Sequence, residues 1–302
     1  MIFGKGKTVD EKEERMRWRG ERESDNVEDR RGMSISRGAK VGGLSGLGLV
    51  AVIVISMFLG VDPSMLLQNV SQPQTSSVSR QQSAGTAQDD DMRRFVAVVL
   101  AETEDVWTDA FRRSGKTYVP PKLVLFSGSV ESACGMAGSA VGPFYCPGDQ
   151  KVYLDLNFFE ELHKRFGVSG DFAQAYVIAH EVGHHVQTLM GITQKVAQLQ
   201  PQLGTAEKNK LSVMVELQAD CLAGVWAHQT EKSRQILEAG DIEEALNAAS
   251  AIGDDRIQKR SQGYVVPDTF THGSSAQRVH WFKTGLEKGT YNSCNTFRES
   301  RL

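Results

Sequence analysis

The stretch from Ala173 to Gly191, AQAYVIAHEVGHHVQTLMG, combines a helical pattern with an HExxH motif. Apolar and small residues recur along it at steps of three and four, which predicts a helix with one face in a core. Asp171, just before the stretch, is a candidate N-cap, and Gly191 is a candidate C-cap. His180 and His184 are just over one helical turn apart, so both project from one face. The fold must therefore accommodate a helix that presents two imidazoles side by side.

Two imidazoles with this spacing are typical of zinc hydrolases, in which both bind one Zn²⁺. Glu181 lies beside them and is the candidate general base for a zinc-activated water. On a helix His185 projects about 100° away from His184, so we expect it to have a supporting or surface role and not to bind the metal. A set of two His and one carboxylate also binds iron, and the sequence leaves the identity of the ion open.

A third metal ligand is expected on a second helix, which AEKNKLSVMVELQADCLAGVWAH at 206–228 predicts. Glu216 and Asp220 are about one turn apart on that helix and share a face. In HExxH enzymes a downstream Glu often completes the site, and an acid one turn later supports the first His. We therefore assign Glu216 to the metal, with one Zn²⁺ per chain, and Asp220 to the support of His180. A solvated helix face is the alternative, but both acids lie among apolar residues, where an unpaired carboxylate is costly.

Four motifs give the chain a family resemblance. They are MRWRGERESDNVEDRRG at 16–32, GPFYCPGDQKVYLDLNFF at 142–159, AHEVGHHVQ at 179–187 and ELQADCLAG at 216–224. Through them the chain resembles the bacterial neutral zinc metallopeptidases of the YpfJ type over nearly its whole length. The resemblance implies hydrolysis of peptide bonds in a protein or peptide substrate.

A more distant similarity is to the membrane-associated gluzincins, which include prenyl-protein and heat-shock membrane proteases. Their third motif, T-H-(any five)-R, has its counterpart in Thr271, His272 and Arg278. We expect His272, in a loop over 264–274, to polarise the scissile carbonyl or stabilise the oxyanion, with Tyr264 as the alternate. Arg278 is expected to brace the site by pairing with a carboxylate. For each of these residues a helix cap or a surface contact is the alternative.

The N-terminal region changes sharply in composition. Residues 1–40 are densely charged, which predicts a disordered arm. Residues 41–61 carry no charge and, as a helix, extend about 31 Å, which matches a bilayer. They are predicted to form one transmembrane helix; a cleaved signal peptide is disfavoured by the long acidic region before them. Residues 62–88, rich in Ser, Gln and Thr, are predicted to be a flexible linker to a metallopeptidase domain at 89–302.

Basic residues flank the N-terminal end of the apolar run, so we expect a single-pass protein of the inner (cytoplasmic) membrane. The arm would be cytoplasmic and the catalytic domain periplasmic or extracellular. Disulfides would agree with that location. Cys134 and Cys146 flank one loop, and Cys294 is a candidate partner for Cys221, although the sequence does not decide the connectivity.

The expected fold class is α+β, a small sheet over the HExxH helix with further helices, in the manner of a minimal gluzincin. KLVLFSG at 122–128 and KVYLDL at 151–156 are predicted strands, one of which we expect by analogy to bind the substrate backbone as an edge strand. Helices are predicted over 241–262 and 275–286. The net charge of −3 gives no indication of a nucleic acid partner.

The sequence therefore predicts a membrane-anchored zinc metallopeptidase. One alternative is a membrane-anchored binding or scaffold protein with a non-catalytic zinc site. The presence of Glu181 disfavours it, because a structural zinc is usually enclosed by four protein ligands. The other alternative is a zinc amidase that acts on cell-wall material, which the HExxH motif does not exclude.

Overall fold

The computed structural model describes residues 16–32 and 87–298. The predicted transmembrane helix at 41–61 lies outside these residues, as does the predicted linker except for 87 and 88, which begin the first helix. Within the described ranges no helix combines the length and the apolar character that a bilayer crossing requires. The membrane span therefore stays a prediction.

The described residues contain six strands, which form two small sheets. The strands are β1 (Val27–Asp29), β2 (Lys122–Phe126), β3 (Ser129–Ser132), β4 (Gly135–Gly138), β5 (Phe144–Cys146) and β6 (Lys151–Asp155). The sheet that supports the site has four strands in the order β1-β2-β6-β5. Strands β1, β2 and β6 are parallel, and β5 is antiparallel to β6 at one edge. A separate antiparallel hairpin consists of β3 and β4.

The two strands predicted from the sequence, β2 and β6, are the central strands of this sheet. Their apolar residues are fully buried, among them Leu123, Leu125 and Leu154. Because each has a strand on both sides, neither can add a substrate strand, and the expectation that one of them is the substrate-binding edge is wrong. The edge beside the HExxH helix is β5, in the loop between the two predicted strands.

Eight α-helices cover most of the remaining described residues. They are α1 (Ala87–Arg113), α2 (Asn157–Phe166), α3 (Asp171–Leu189), α4 (Ile192–Leu199), α5 (Thr205–Arg234), α6 (Asp241–Ala251), α7 (Asp254–Gln262) and α8 (Ser275–Lys288). Together with the two small sheets they make a mixed α and β fold, as the sequence predicts. The HExxH helix is α3, which packs against α1, α5, α6 and the strands β5 and β6.

The single helix predicted over 241–262 is two helices, α6 and α7, which meet at Gly253. At this point the backbone passes the start of α8 so closely that a Cβ on Gly253 would lie 2.4 Å from the Ser275 nitrogen. Glycine is the residue that permits such an approach. Hydrophobic periodicity alone does not reveal the break, because the close neighbour is distant in sequence.

Residues 16–32 are part of the same folded body as residues 87–298, so the prediction that they are disordered is wrong. Met16 and Trp18 are buried with 2% and 6% of their surface exposed, and β1 pairs with β2. The Trp18 indole donates to Asp171, which is the first residue of α3. The N-cap of this helix is Gly170 and not Asp171. The charges of this segment are matched by charges on α1 and α5, as in the Arg22–Glu104 pair at 3.0 Å. Composition suggests a solvated arm because it does not reveal these partners.

The pairing of β1 with β2 also bears on the predicted membrane topology. A single crossing between residues 32 and 87 would put two hydrogen-bonded strands on opposite sides of a bilayer. The predicted cytoplasmic location of the arm therefore does not fit this pairing for residues 16–32, and the compartment of the domain stays a prediction.

Both candidate disulfides are present. Cys134–Cys146 ties the β3–β4 hairpin to β5, and Cys221–Cys294 ties α5 to the C-terminal segment. The structure thus selects the pairing that the sequence leaves open.

Candidate active site

The contact between α3 and α5 brings the candidate metal ligands together. A Cβ on Gly183 would lie 3.1 Å from the backbone oxygen of Ala219, tighter than an ordinary van der Waals contact. Glycine at this position lets the two helices approach closely. The approach places the helical face with His180 and His184 opposite Glu216.

His180, His184 and Glu216 form a compact set of metal-binding donors. His180 Nε2 lies 3.2 Å from Glu216 Oε2, and His184 Nε2 lies 3.5 Å from Glu216 Oε1. Among the described residues these three side chains meet as one group, with a donor atom from each within 4.8 Å of the others. His185 is not a member of this group.

The donor set fits a zinc ion because the opposite nitrogen of each imidazole is already engaged. His180 Nδ1 lies 2.9 Å from Asp220 Oδ1, and His184 Nδ1 lies 2.9 Å from Gln187 Oε1. These bonds turn both Nε2 atoms toward Glu216, and such outer partners fix the tautomer of a metal-binding His. Sequence reasoning missed Gln187, although its position one turn after His184 on α3 offers a signal.

Asp220 is the centre of a buried network behind the ligands. Arg278 donates to both of its carboxylate oxygens at 2.9 Å, and the Tyr176 hydroxyl donates to Oδ1 at 2.5 Å. Burial alone would raise the pKa of Asp220, but Arg278 and His180 outweigh it and lower the pKa to about 2. The structure thus places Arg278 against a carboxylate, as predicted for it, and the carboxylate is Asp220.

Glu181 lines the same cleft as the three donors and is largely buried, with 8% of its surface exposed. Burial raises the pKa of Glu181, and the nearby histidines oppose that effect. A carboxyl group with a raised pKa beside a metal site is suited to carry a proton between reacting groups.

His272 also lines the cleft, on the loop before α8. Its Nδ1 lies 3.2 Å from Asp254 Oδ1, and Asp254 Oδ2 accepts the backbone N–H groups of residues 271–273. Asp254, which the sequence did not single out, thus holds the loop and the ring together. Tyr264, the alternate to His272, is 62% exposed and does not line the cleft.

The cleft is a cavity of about 350 Å³ whose walls are mostly apolar away from the donor set. Strand β5 forms one side of it, and α3, α4 and α5 contribute the others. The apolar lining consists of Val141, Pro143, Phe144, Tyr145, Pro147, Phe158, Val177, Val196, Val215 and Ile252.

A helix-borne pair of His in HExxH spacing, completed by Glu on a second helix, defines the donor set of a zinc hydrolase. The chain belongs to the family described as "Putative neutral zinc metallopeptidase", which matches residues 16–297. The match includes the N-terminal segment that folds onto the domain.

Two relatives show how far the similarity extends. "Uncharacterized protein YpfJ" of Escherichia coli (strain K12) is 52% identical over 295 residues, which cover 94% of this chain and 100% of that protein. "Uncharacterized protein Rv2575" of Mycobacterium tuberculosis (strain ATCC 25618 / H37Rv) is 43% identical over 222 residues, which cover 70% of this chain and 74% of the relative. No solved structure matches the chain.

Proposed function

We propose that this protein is a zinc-dependent peptidase that hydrolyses peptide bonds without a covalent intermediate. The observation that carries the proposal is the position of Glu181, a buried acid in the same cleft as three metal-binding donors. Three protein ligands leave a zinc ion one open position, the arrangement of catalytic sites, whereas structural sites are closed by four.

The proposed mechanism assigns a separate task to each residue. His180, His184 and Glu216 would hold one zinc ion, which supplies Lewis acidity that activates water and polarises a carbonyl. Glu181 accepts the proton of the attacking water and passes it to the leaving amine. His272 donates Nδ1–H to Asp254, so its Nε2 carries a hydrogen only in the imidazolium form. In that form His272 would steady, through Nε2–H, the negative charge that develops on the carbonyl oxygen. Asp220 and Arg278 keep His180 oriented.

The fold supplies an edge strand for a polypeptide substrate. In the sheet β5 pairs with β6 on one side, and it lies along the cleft. We propose that an extended substrate adds to β5 and thereby passes its scissile bond beside the donor set.

We propose that the domain works outside the cytoplasm, periplasmic or extracellular, at a membrane surface. Two disulfides support an oxidising compartment. The uncharged run at 41–61 supports contact with a lipid bilayer. Residues 16–32 would lie on the same side as the domain, because β1 is part of its sheet.

The test compares purified full-length protein with Glu181→Gln and His184→Ala. We expect about one zinc per chain in the wild type and in Glu181→Gln, and cleavage of unfolded casein by the wild type alone. Purified peptidoglycan is offered in parallel, because a cell-wall amidase would use the same residues. Zinc binding without any Glu181-dependent cleavage of casein would contradict the peptidase proposal. Cleavage of peptidoglycan alone would replace it with the amidase.

A further inference from the structure

His185, the second histidine of HEVGHH, lies outside the donor set and is almost fully buried, with 1% of its surface exposed. Its Nε2 lies 2.7 Å from the backbone oxygen of Val119, and its Nδ1 lies 3.1 Å from the Tyr145 hydroxyl. Because a carbonyl oxygen can only accept, Nε2 carries the hydrogen. Nδ1 is then an acceptor, and the Tyr145 hydroxyl donates to it.

Two tyrosine rings also contact the His185 imidazole. Tyr118 and Tyr145 meet the His185 imidazole edge to face, with ring centres at 5.8 and 5.5 Å. His185 thus connects three parts of the fold: the HExxH helix α3, the segment before β2, and strand β5.

Tyr145 is the central residue of β5 and lines the cleft. Along a strand alternate side chains point to opposite faces, so Phe144 and Cys146 lie on the face away from Tyr145. Phe144 stacks on Tyr153 of β6, and Cys146 is bonded to Cys134. On the face toward α3, the Tyr145 side chain therefore provides the polar link between this short edge strand and the helix of His180 and His184.

We infer that His185 is a positioning residue that sets the distance and tilt of β5 relative to the metal-binding helix by holding Tyr145. The inference rests on the proposed function, since it assumes that a polypeptide pairs with β5. A peptide bound to a strand that is fixed to α3 presents its carbonyl to the donor set in one register. Release of Tyr145 would leave β5 paired with β6 and bonded through Cys146, but free to tilt in the cleft.

The experiment uses the full-length protein with His185→Leu, His185→Gln, Tyr145→Phe and the double variant His185→Leu/Tyr145→Phe. The matched control is His228→Leu, which also removes a His bonded to a backbone oxygen, here Leu286 at 2.7 Å, but outside the cleft lining. The readouts are zinc content, KM and kcat for a quenched fluorescent peptide, and the affinity of labelled casein for each protein with Glu181→Gln added.

His185→Leu and Tyr145→Phe should each raise KM about threefold to tenfold, the worth of one hydrogen bond, with zinc content and kcat nearly unchanged. The double variant should be no worse than Tyr145→Phe alone, because His185 acts through the Tyr145 hydroxyl. His185→Gln, which retains a donor and an acceptor, should recover most of the loss, and His228→Leu should leave KM unchanged.

An unchanged KM in His185→Leu, or losses that multiply in the double variant, would overturn the inference. Loss of zinc in His185→Leu would show that the residue supports the donor set instead. If the wild type cleaves no peptide, the peptidase proposal fails, but casein affinity still decides this inference. A threefold to tenfold weaker affinity in His185→Leu/Glu181→Gln than in Glu181→Gln supports it, and equal affinity overturns it.

Discussion

At the scale of single residues, the candidate site depends on hydrogen bonds that lie one step behind the metal-binding atoms. Asp220 holds His180, Gln187 holds His184, and Asp254 holds His272. Asp220 is in turn held by Arg278 and Tyr176. Each ring is therefore oriented before any ligand arrives.

The Asp220 network predicts a loss of metal affinity when the carboxylate is removed. In Asp220→Ala the tautomer and orientation of His180 are no longer fixed, and zinc affinity should fall about 10- to 100-fold. Competition with a chelator measures it. The control is Asp155→Ala, a buried carboxylate bonded to Gly128, Ser139 and Asn157, which should lower stability but not zinc affinity. Equal zinc affinity in Asp220→Ala and wild type would contradict the assignment.

Glu102 on α1 predicts a pH-dependent stability. Burial raises its pKa to about 7, and Arg234, at 3.2 Å, offsets only part of that effect. Between the unfolded value near 4.5 and 7, the folded chain binds more protons than the unfolded chain, so stability falls as pH rises. Over this pH range the free energy of unfolding should decrease by up to about 3 kcal/mol less in Glu102→Gln than in the wild type. Thermal unfolding of both proteins at pH 5 and pH 8 checks it; parallel pH dependence would refute the assignment.

At the scale of elements, the site requires two helices to approach closely. Gly183 on α3 faces Ala219 on α5, and Gly224 on α5 faces the backbone of α8. A Cβ on Gly224 would lie 2.1 Å from the Phe282 oxygen. These small residues set the spacing that joins Glu216 to the two His and Arg278 to Asp220.

Gly183→Ala tests that spacing, because the contact between α3 and α5 decides whether the substitution raises or lowers stability. In an open helix interior this change stabilises by about 1 kcal/mol. Here the added Cβ would lie 3.1 Å from the Ala219 oxygen, so we expect α3 and α5 to separate slightly, with lower Tm and weaker zinc binding. Gly138→Ala is the control, since its Cβ would meet its nearest atom at an ordinary 3.6 Å. A more stable Gly183→Ala protein with unchanged zinc affinity would show that this contact does not set the spacing of α3 and α5 at the site.

At the scale of the whole molecule, the N-terminal segment connects the helices that carry the ligands. Trp18 bonds Asp171 at the start of α3, and Glu21 pairs with Arg234 at the end of α5. The backbone N–H of Arg17 donates to Ile236 just beyond α5. The segment therefore belongs to the catalytic body, although 54 residues separate Gly32 from Ala87 in the sequence.

This arrangement predicts that the domain is impaired without its N-terminal segment. A protein of residues 80–302 loses β1 and the Trp18 contacts, and we expect a lower Tm and weaker zinc binding than in the full chain. A synthetic peptide of residues 14–32 should restore part of both, and the same peptide with Trp18→Ala should restore less. If residues 80–302 match the full chain in Tm and zinc affinity, the segment is not needed for the fold.

Much of this architecture could be predicted from local sequence patterns. The period of α3 and the spacing of Glu216 and Asp220 follow from helical geometry, and β2 and β6 follow from short apolar runs. What could not be predicted depends on partners distant in sequence. Examples are the contact of Asp254 with His272, the link from Tyr145 to His185, and the charges that pair residues 16–32 with α1. The position of β5 as the sheet edge also required the strand order, which no local pattern contains.

An anomalous difference map at the zinc absorption edge, from crystals of the zinc-loaded full-length protein, would test the central claim most directly. We predict one peak about 2.0–2.1 Å from the Nε2 atoms of His180 and His184 and about 2.0–2.2 Å from a carboxylate oxygen of Glu216. The remaining coordination position should face the cleft beside Glu181. A peak at another site, or a fourth protein side chain in place of that open position, would contradict a catalytic zinc centre in this protein.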